Sequence, residues 1–278
     1  MVNEYENTKA VFSTGKFDRI LRKEVKDEII ELLNWVYELD AYGSVAEASK
    51  KFNFCYPEIS ASTDPEIGIE GLFHPLLAQP VTNDFNMTDT KNLCFLTGAN
   101  MSGKSTFLKS FGLAVYLAHA GFPVPARKMK MTVFNGLLTT INLSDNINKG
   151  YSHFYSEVKR VKEAAQEIGR KRMIVIFDEL FRGTNVKDAT DASFMIISAL
   201  ANIKGSFFLI STHIVEIADK IAGFKNTSFN CFDVRFQNDH PIYDYQLTEG
   251  VSKDSLGLYI VKQERIEEIL KEAAKNSR

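Results

Sequence analysis

The nine residues GANMSGKST, at 98–106, carry the most specific chemistry in the chain. They fit the pattern G-x-x-x-x-G-K-[ST], in which glycines let the backbone wrap closely and point successive N–H groups at phosphate oxygens. Gly98, Ala99, Asn100, Met101, Ser102 and Gly103 would form the cradle. Lys104 would reach the β- and γ-phosphates, the Ser105 hydroxyl would bind Mg²⁺, and Thr106 adds a hydroxyl on the α-phosphate side. The stretch MIVIFDEL supplies what such a loop needs next: Asp178 to hold the Mg²⁺, directly or through water, and Glu179 to orient or deprotonate an attacking water. In FFLISTHIVE a third apolar run ends in Ser211, Thr212 and His213, and a histidine there can donate to the γ-phosphate or position the water. The other histidines have no comparable setting; His119 reads as packing and His240 as a turn residue.

These groups must be held by particular elements. Short apolar runs alternate with helical patterns: LCFLT (93–97) before a helix from about Lys104 to Ala120, LLTTINL (137–143) before a helix in the 150s and 160s. MIVIF (173–177) precedes DATDASFMIISALAN, and FFLIS (207–211) precedes HIVEIADKIAG. Strands alternating with helices predict an α/β domain around a mainly parallel sheet, with ligand groups at the C-terminal ends of its strands. The tail returns to strand-like segments, FNCFDVRF and IYDYQLTEG, and closes with a helix. Upstream, Phe17, Leu21, Val25, Ile29, Leu32, Val36 and Leu39 recur at spacings of three and four. That spacing predicts a long amphipathic helix ending near Gly43, with a short second helix through SVAEASKKF. Its apolar stripe must pack on a neighbouring domain or further helices.

Composition narrows the class. The 278 residues are 45% hydrophobic and 24% charged, enough for one large domain or a domain with an appendage. A formal charge of -2 gives no global attraction to nucleic acid. The basic clusters ARKMKM (126–131) and GRKRM (169–173) read as solvated faces, the second placing cations at a helix C-terminus. Cys55, Cys94 and Cys231 are widely spaced and odd in number, the usage of a reducing compartment rather than a disulfide or zinc framework. With no signal peptide and no apolar run of membrane-spanning length, the cytoplasm, bacterial cytoplasm or nucleoid, is the expected location.

Taken together, GANMSGKST, VIFDELFRGTN, ISTHIVE and VPARKM resemble the ATPase domain of the MutS family of DNA mismatch repair proteins, a domain of the ABC-type P-loop ATPases. The resemblance runs from about Gly71 (GLFHPLL) to the closing helix. It extends weakly upstream through VYELDAYGSVAEASKKFNFCYPEI, which resembles the end of a helical lever and core segment. It therefore implies residues 1–70 as the lever end and 71–278 as the ATPase domain. It also implies ATP and Mg²⁺ as ligands, with Val81 against the adenine and Tyr245 stacked on it, where many relatives have histidine. RGTN (182–185) matches a loop along a dimer interface.

The resemblance gives a role to one further stretch, KGYSHFYSEVKR at 149–160. By residue type alone, Gly150 precedes a helix, Ser152 is its N-cap, and Phe154, Val158, Val161, Ala165 and Ile168 form its buried stripe. In MutS-like ATPases the matching serine faces the γ-phosphate held by a second subunit, so Ser152 is expected to act across a dimer. The sequence departs from the family pattern at Ala99, Ser102 and His153, where proline, glycine and threonine are usual. It also has no aromatic-wedge mismatch reader and no helix-turn-helix tail, and is expected to be a C-terminal piece of a larger protein. The implied partners are a second copy of the chain, DNA through the full-length protein and a downstream repair factor, with no membrane. Three alternatives stay open: a homologue acting in recombination or on branched nucleic acid, a transporter-type ABC subunit, and a nucleotide-dependent scaffold that does not hydrolyse. The transporter reading lacks an LSGGQ-like signature, and intact Lys104, Ser105, Asp178 and Glu179 oppose the scaffold.

Overall fold

A computed structural model of the chain describes residues 15–16, 18–141, 153–181, 184–237, 240–252 and 263–276. The chain divides into two units, residues 1–51 and 52–278. In the first, a π-helical turn at Ile20–Glu24 leads to helix α1, Lys26–Phe52. The helix does not end near Gly43, and SVAEASKKF continues it rather than forming a second one. A single glycine costs a helix only about 1 kcal/mol, and the alanines, lysines and glutamate that follow are good helix formers. None of the side chains of α1 is buried; Trp35 is 64% and Leu39 68% exposed. Leu33, Trp35 and Tyr37 lie off the predicted stripe, so apolar groups surround the helix instead of lining one face.

The second unit is built on two sheets. The larger has the strand order β10-β9-β4-β8-β7-β6. Its members are β4 (Leu93–Gly98), β6 (Gly136–Thr139), β7 (Met173–Asp178), β8 (Phe207–Ser211), β9 (Thr227–Gln237) and β10 (His240–Glu249). All neighbours are parallel except the β9–β10 pair, which is antiparallel. The smaller sheet has the order β1-β5-β2-β3, from Glu58–Ile59, Lys128–Met131, Glu66–Leu72 and Asn83–Thr88. These four strands are not among the predicted ones. Lys128–Met131 alternates lysine with buried methionine and reads as a charge cluster, while Asn83–Thr88 opens with a buried asparagine that breaks its apolar alternation. The cations of that cluster lie beside Glu66, Glu70 and Asp84, pairs whose exposure makes each worth no more than about 1 kcal/mol.

Strand period decides where the core lies. In β7, Ile174 and Ile176 face one side of the large sheet and Val175 and Phe177 the other, and all four are fully buried. The first side packs on helix α2, Lys104–His119, through Phe107, Leu108, Phe111 and Val115, and these also meet Ile67, Phe85 and Met131 of the small sheet. Helix α2 is thus held between two sheets. Glycine at 112 lets it approach: a Cβ there would lie 3.3 Å from Ile176 Cδ1. The second side packs on helices α3 (His153–Ile168), α4 (Val186–Leu200) and α5 (Glu216–Ile221). Helix α6, Ile266–Asn276, follows near the end.

The buried face of α3 differs from the predicted stripe. Glu157, Ala164 and Ile168 are buried and Phe154 and Val161 half-buried, whereas Val158 and Ala165 are exposed. The Phe154 ring packs on Phe181 at 5.6 Å, and this contact together with Ala164 under the sheet selects the 154, 157, 161, 164, 168 face. Two histidines fall into place. His119 donates from Nδ1 to the Val115 carbonyl (2.8 Å) and accepts the Phe134 N–H on Nε2 (3.0 Å), a tether rather than simple packing. His240 is not a turn residue: it is the first residue of β10, paired with Gln237 of β9.

Candidate functional site

The loop after β4 owes its shape to its glycines. Gly98 has φ +148°, and a Cβ there would lie 2.7 Å from Ser102 Oγ and 2.8 Å from the Phe232 carbonyl oxygen. Gly103 has φ +113°, and its Cβ would come within 3.3 Å of the Tyr245 ring. Met101, between them, also takes a positive φ of 67° although it has a side chain, so the loop stores backbone strain. The Ser102 N–H closes a turn on the Ala99 carbonyl at 3.3 Å, and α2 begins at Lys104. The free N–H groups of that first helical turn make its end electropositive.

Lys104 is the pivot of the loop. It is buried, and its ammonium donates back to the carbonyls of Gly98 (2.6 Å) and Ala99 (3.0 Å). Burial lowers its pKa, and the negative charges of Glu179 and then Asp178 oppose that shift. Both carboxylates therefore act on this ammonium. They reach it because β4, β8 and β7 are consecutive in the sheet and end at the same edge, with β7 about 10 Å from β4. Ser105 is half-buried and Thr106 exposed on the first turn of α2.

Asp178 and Glu179 are organised by one buried hydroxyl. Ser211, paired with Asp178 across β7 and β8, donates from Oγ to Asp178 Oδ1 at 2.6 Å. The Glu179 N–H donates to both the carbonyl oxygen and the Oγ of Ser211, each at 3.1 Å. Glu179 itself sits at φ +56°, so the chain leaves β7 in a conformation that side chains rarely adopt. Ser211 ends an apolar strand beside the more conspicuous His213, and its hydrogen bonds depend on the β7–β8 register. Thr212 Oγ1 accepts the Ile214 N–H at 3.0 Å, and His213 is exposed between them.

A cavity of about 500 Å³ opens beside the loop. The loop lines it together with Val81, His74, Asn83, Phe232 and Tyr245. The structure thus brings Val81 and Tyr245, distant in sequence, to the same cavity as residues 99–107. Asp178, Glu179 and His213 are not part of its lining. Ser152 and Gly150 lie outside the described residues, as do Arg182 and Gly183 of RGTN. Asn185, the last residue of RGTN, caps α4, its Oδ1 accepting the Asp188 N–H at 2.9 Å. His74, Asn83 and Phe232 were not singled out by residue type. His74 accepts the Leu76 N–H on Nδ1 at 3.4 Å, and burial, then the Lys109 charge, lower its pKa. Among the described residues no group of three or more His, Cys, Asp or Glu side chains could hold a metal ion, and no helix is long and apolar enough to cross a membrane.

Known proteins share this sequence pattern. The chain is 29% identical over 252 residues to the DNA mismatch repair protein MutS of Fervidobacterium nodosum, covering 89% of this chain and 30% of that protein. It is 29% identical over 252 residues to the protein of the same name from Petrotoga mobilis, covering 88% and 31%. Against that of Ehrlichia ruminantium it is 29% identical over 239 residues, covering 85% and 29%. The chain therefore spans about three tenths of the length of these curated relatives. Residues 94–278, from the strand that carries the loop through the closing helix, match the model of MutS domain V, and the chain belongs to that family.

Proposed function

We propose that this chain is a Mg²⁺-dependent ATPase module of ABC-type P-loop fold, the motor end of a MutS-like DNA repair protein. The observation that carries the reading is Lys104. It is buried inside a glycine-framed loop at the start of a helix, in the field of Glu179 and Asp178 at the shared strand edge. In this reading the loop N–H groups and the α2 terminus bind the phosphates. Lys104 exchanges its two carbonyl partners for β- and γ-phosphate oxygens, which compensate its buried charge far better. Val81 and Tyr245, on the cavity wall, enclose the adenine. Glu179 orients the attacking water and takes its proton, and His213 donates toward the γ-phosphate from the end of β8.

Ser105 and Asp178 would hold the Mg²⁺, and a hydroxyl with a carboxylate is the hard oxygen donor set that this ion prefers. When bound, it neutralises charge on the β- and γ-phosphate oxygens. Ser152 acts on the γ-phosphate of a second copy, so ATP binding closes a dimer, and through the full-length protein that closure controls a clamp on DNA and the signal to a downstream repair factor.

Nucleotide binding and turnover by the parent, Glu179→Gln and Lys104→Ala test this. Glu179→Gln should bind ATP with parental affinity while turnover falls about 10²- to 10⁴-fold and ATP-bound dimers accumulate. Lys104→Ala should lose ATP binding. Parental affinity in Lys104→Ala would sink the phosphate-loop reading, and parental turnover in Glu179→Gln would sink the assignment of the base.

A further inference from the structure

The irregular turn that carries Tyr245 is held by a residue from the other sheet. Strand β10 pairs with β9 at Tyr243 and Val234, and again at Leu247 and Phe232. Three residues, 244–246, therefore stand opposite one, and Tyr245 takes φ +54° within the bulge. A bulge removes backbone groups from the ladder, and they need other partners. Here the partner is the Asn83 side chain. Its Nδ2 donates to the Tyr245 carbonyl at 3.1 Å, and its Oδ1 accepts the Leu247 N–H at 2.6 Å. A carboxamide has the same donor and acceptor as a peptide group, so Asn83 substitutes for the missing piece of strand. The two backbone partners also determine which way the amide faces.

The position of Asn83 links the bulge to the cavity. It is the first residue of β3 in the small sheet, 9% exposed, and it lines the cavity beside the loop. With the Tyr245 carbonyl and the Leu247 N–H held on either side of residue 246, the Tyr245 ring lies near Gly103 and stacks on Tyr243 at 5.9 Å and 15° between planes. Tyr245 remains 44% exposed and lines the same cavity, so it offers a surface to a planar group held beside the loop.

We propose that Asn83 is a positioning residue for recognition of the nucleobase: it holds the β10 bulge so that Tyr245 presents its ring to the base, and it takes no part in binding the phosphates. This rests on the reading of the cavity as a nucleotide site. Base contact through a ring is worth about tenfold or more in affinity, whereas the loop and Lys104 hold the phosphates without it.

The test compares Mg²⁺-ATP with Mg²⁺-tripolyphosphate, which has the phosphates and no base, by calorimetric titration of the whole chain. Asn83→Ala should weaken ATP about tenfold and leave tripolyphosphate within about twofold. Tyr245→Ala should do the same, and the double variant should lose no more than either single one. Asn83→Asp keeps the volume and the acceptor for Leu247 but cannot donate to Tyr245 when ionised, and it serves if Asn83→Ala does not fold. Equal weakening of both probes, additive losses in the double variant, or unchanged ATP affinity would each overturn the proposal, as would a parent that binds both probes alike. A parent that binds neither probe overturns the nucleotide reading beneath it.

Discussion

Replacing Ser211 by alanine is the sharpest test of how the strand edge is organised. The change removes one oxygen that is fully buried and donates to Asp178 at 2.6 Å while accepting the Glu179 N–H at 3.1 Å. A hydrogen bond to a charged group contributes about 1.5–3 kcal/mol. The Glu179 N–H keeps the Ser211 carbonyl, so its loss is a fraction of that. Together the stability loss should be about 2–3 kcal/mol. For a domain of this size that corresponds to a fall in Tm of about 4–6 °C, read by calorimetry. On the proposed role of Asp178 as the Mg²⁺ ligand, the same change should raise the Mg²⁺ concentration for half-maximal turnover about tenfold, because Asp178 loses the donor that orients it. A double-mutant cycle with Asp178→Asn isolates the pair: a coupling near zero, or a Tm change under about 1 °C in Ser211→Ala, would refute the idea that this hydroxyl supports the carboxylate.

Two further outcomes test the interior. Burial pushes the Cys94 thiol up to about 12, opposed only in part by the Ser228 hydroxyl. The folded chain therefore keeps a proton that the unfolded chain releases above about pH 9. The associated stability is complete below that pH and declines as the pH rises toward 12, at up to about 1.4 kcal/mol per pH unit. Urea unfolding of the parent and Cys94→Ala from pH 8 to 10.5 should show two curves that converge with pH, and parallel curves would contradict the assignment. Phe111→Ala should cost about 3–5 kcal/mol by denaturant unfolding, because the ring is fully buried on α2 and packs edge-on against Phe85 at 5.5 Å. A loss below about 1 kcal/mol would mean that the two sheets are not clamped through this helix.

The large sheet was legible because its signals are local. LCFLT, MIVIF and FFLIS are apolar runs buried on both faces, and no neighbour is needed to recognise them. The small sheet was not, because its strands read as a glycine-interrupted run, a polar stretch and a basic cluster until each is laid beside the others. Gly43 misled for a related reason: a glycine signals a helix end only when the backbone there needs a positive φ, and in α1 it does not. The face of α3 was misplaced because Val158 is more hydrophobic than Glu157, yet the contact with Phe181 determines which of the two is buried.

Residue type and spacing were enough to mark the loop at 98–106, the carboxylates at 178 and 179, and the alternation of strands with helices, since each depends on neighbours within one turn or one strand. Three features came from folding alone. The Ser211 hydroxyl bonds Asp178 and Glu179 only because β7 and β8 pair in one register. Lys104 feels both carboxylates only because their strands end at one edge. Asn83 reaches Tyr245 across 162 residues only because the bulge in β10 leaves backbone groups without a ladder. Each is a contact between distant segments, and hydrogen bonds and charges act through space, where separation along the chain has no bearing.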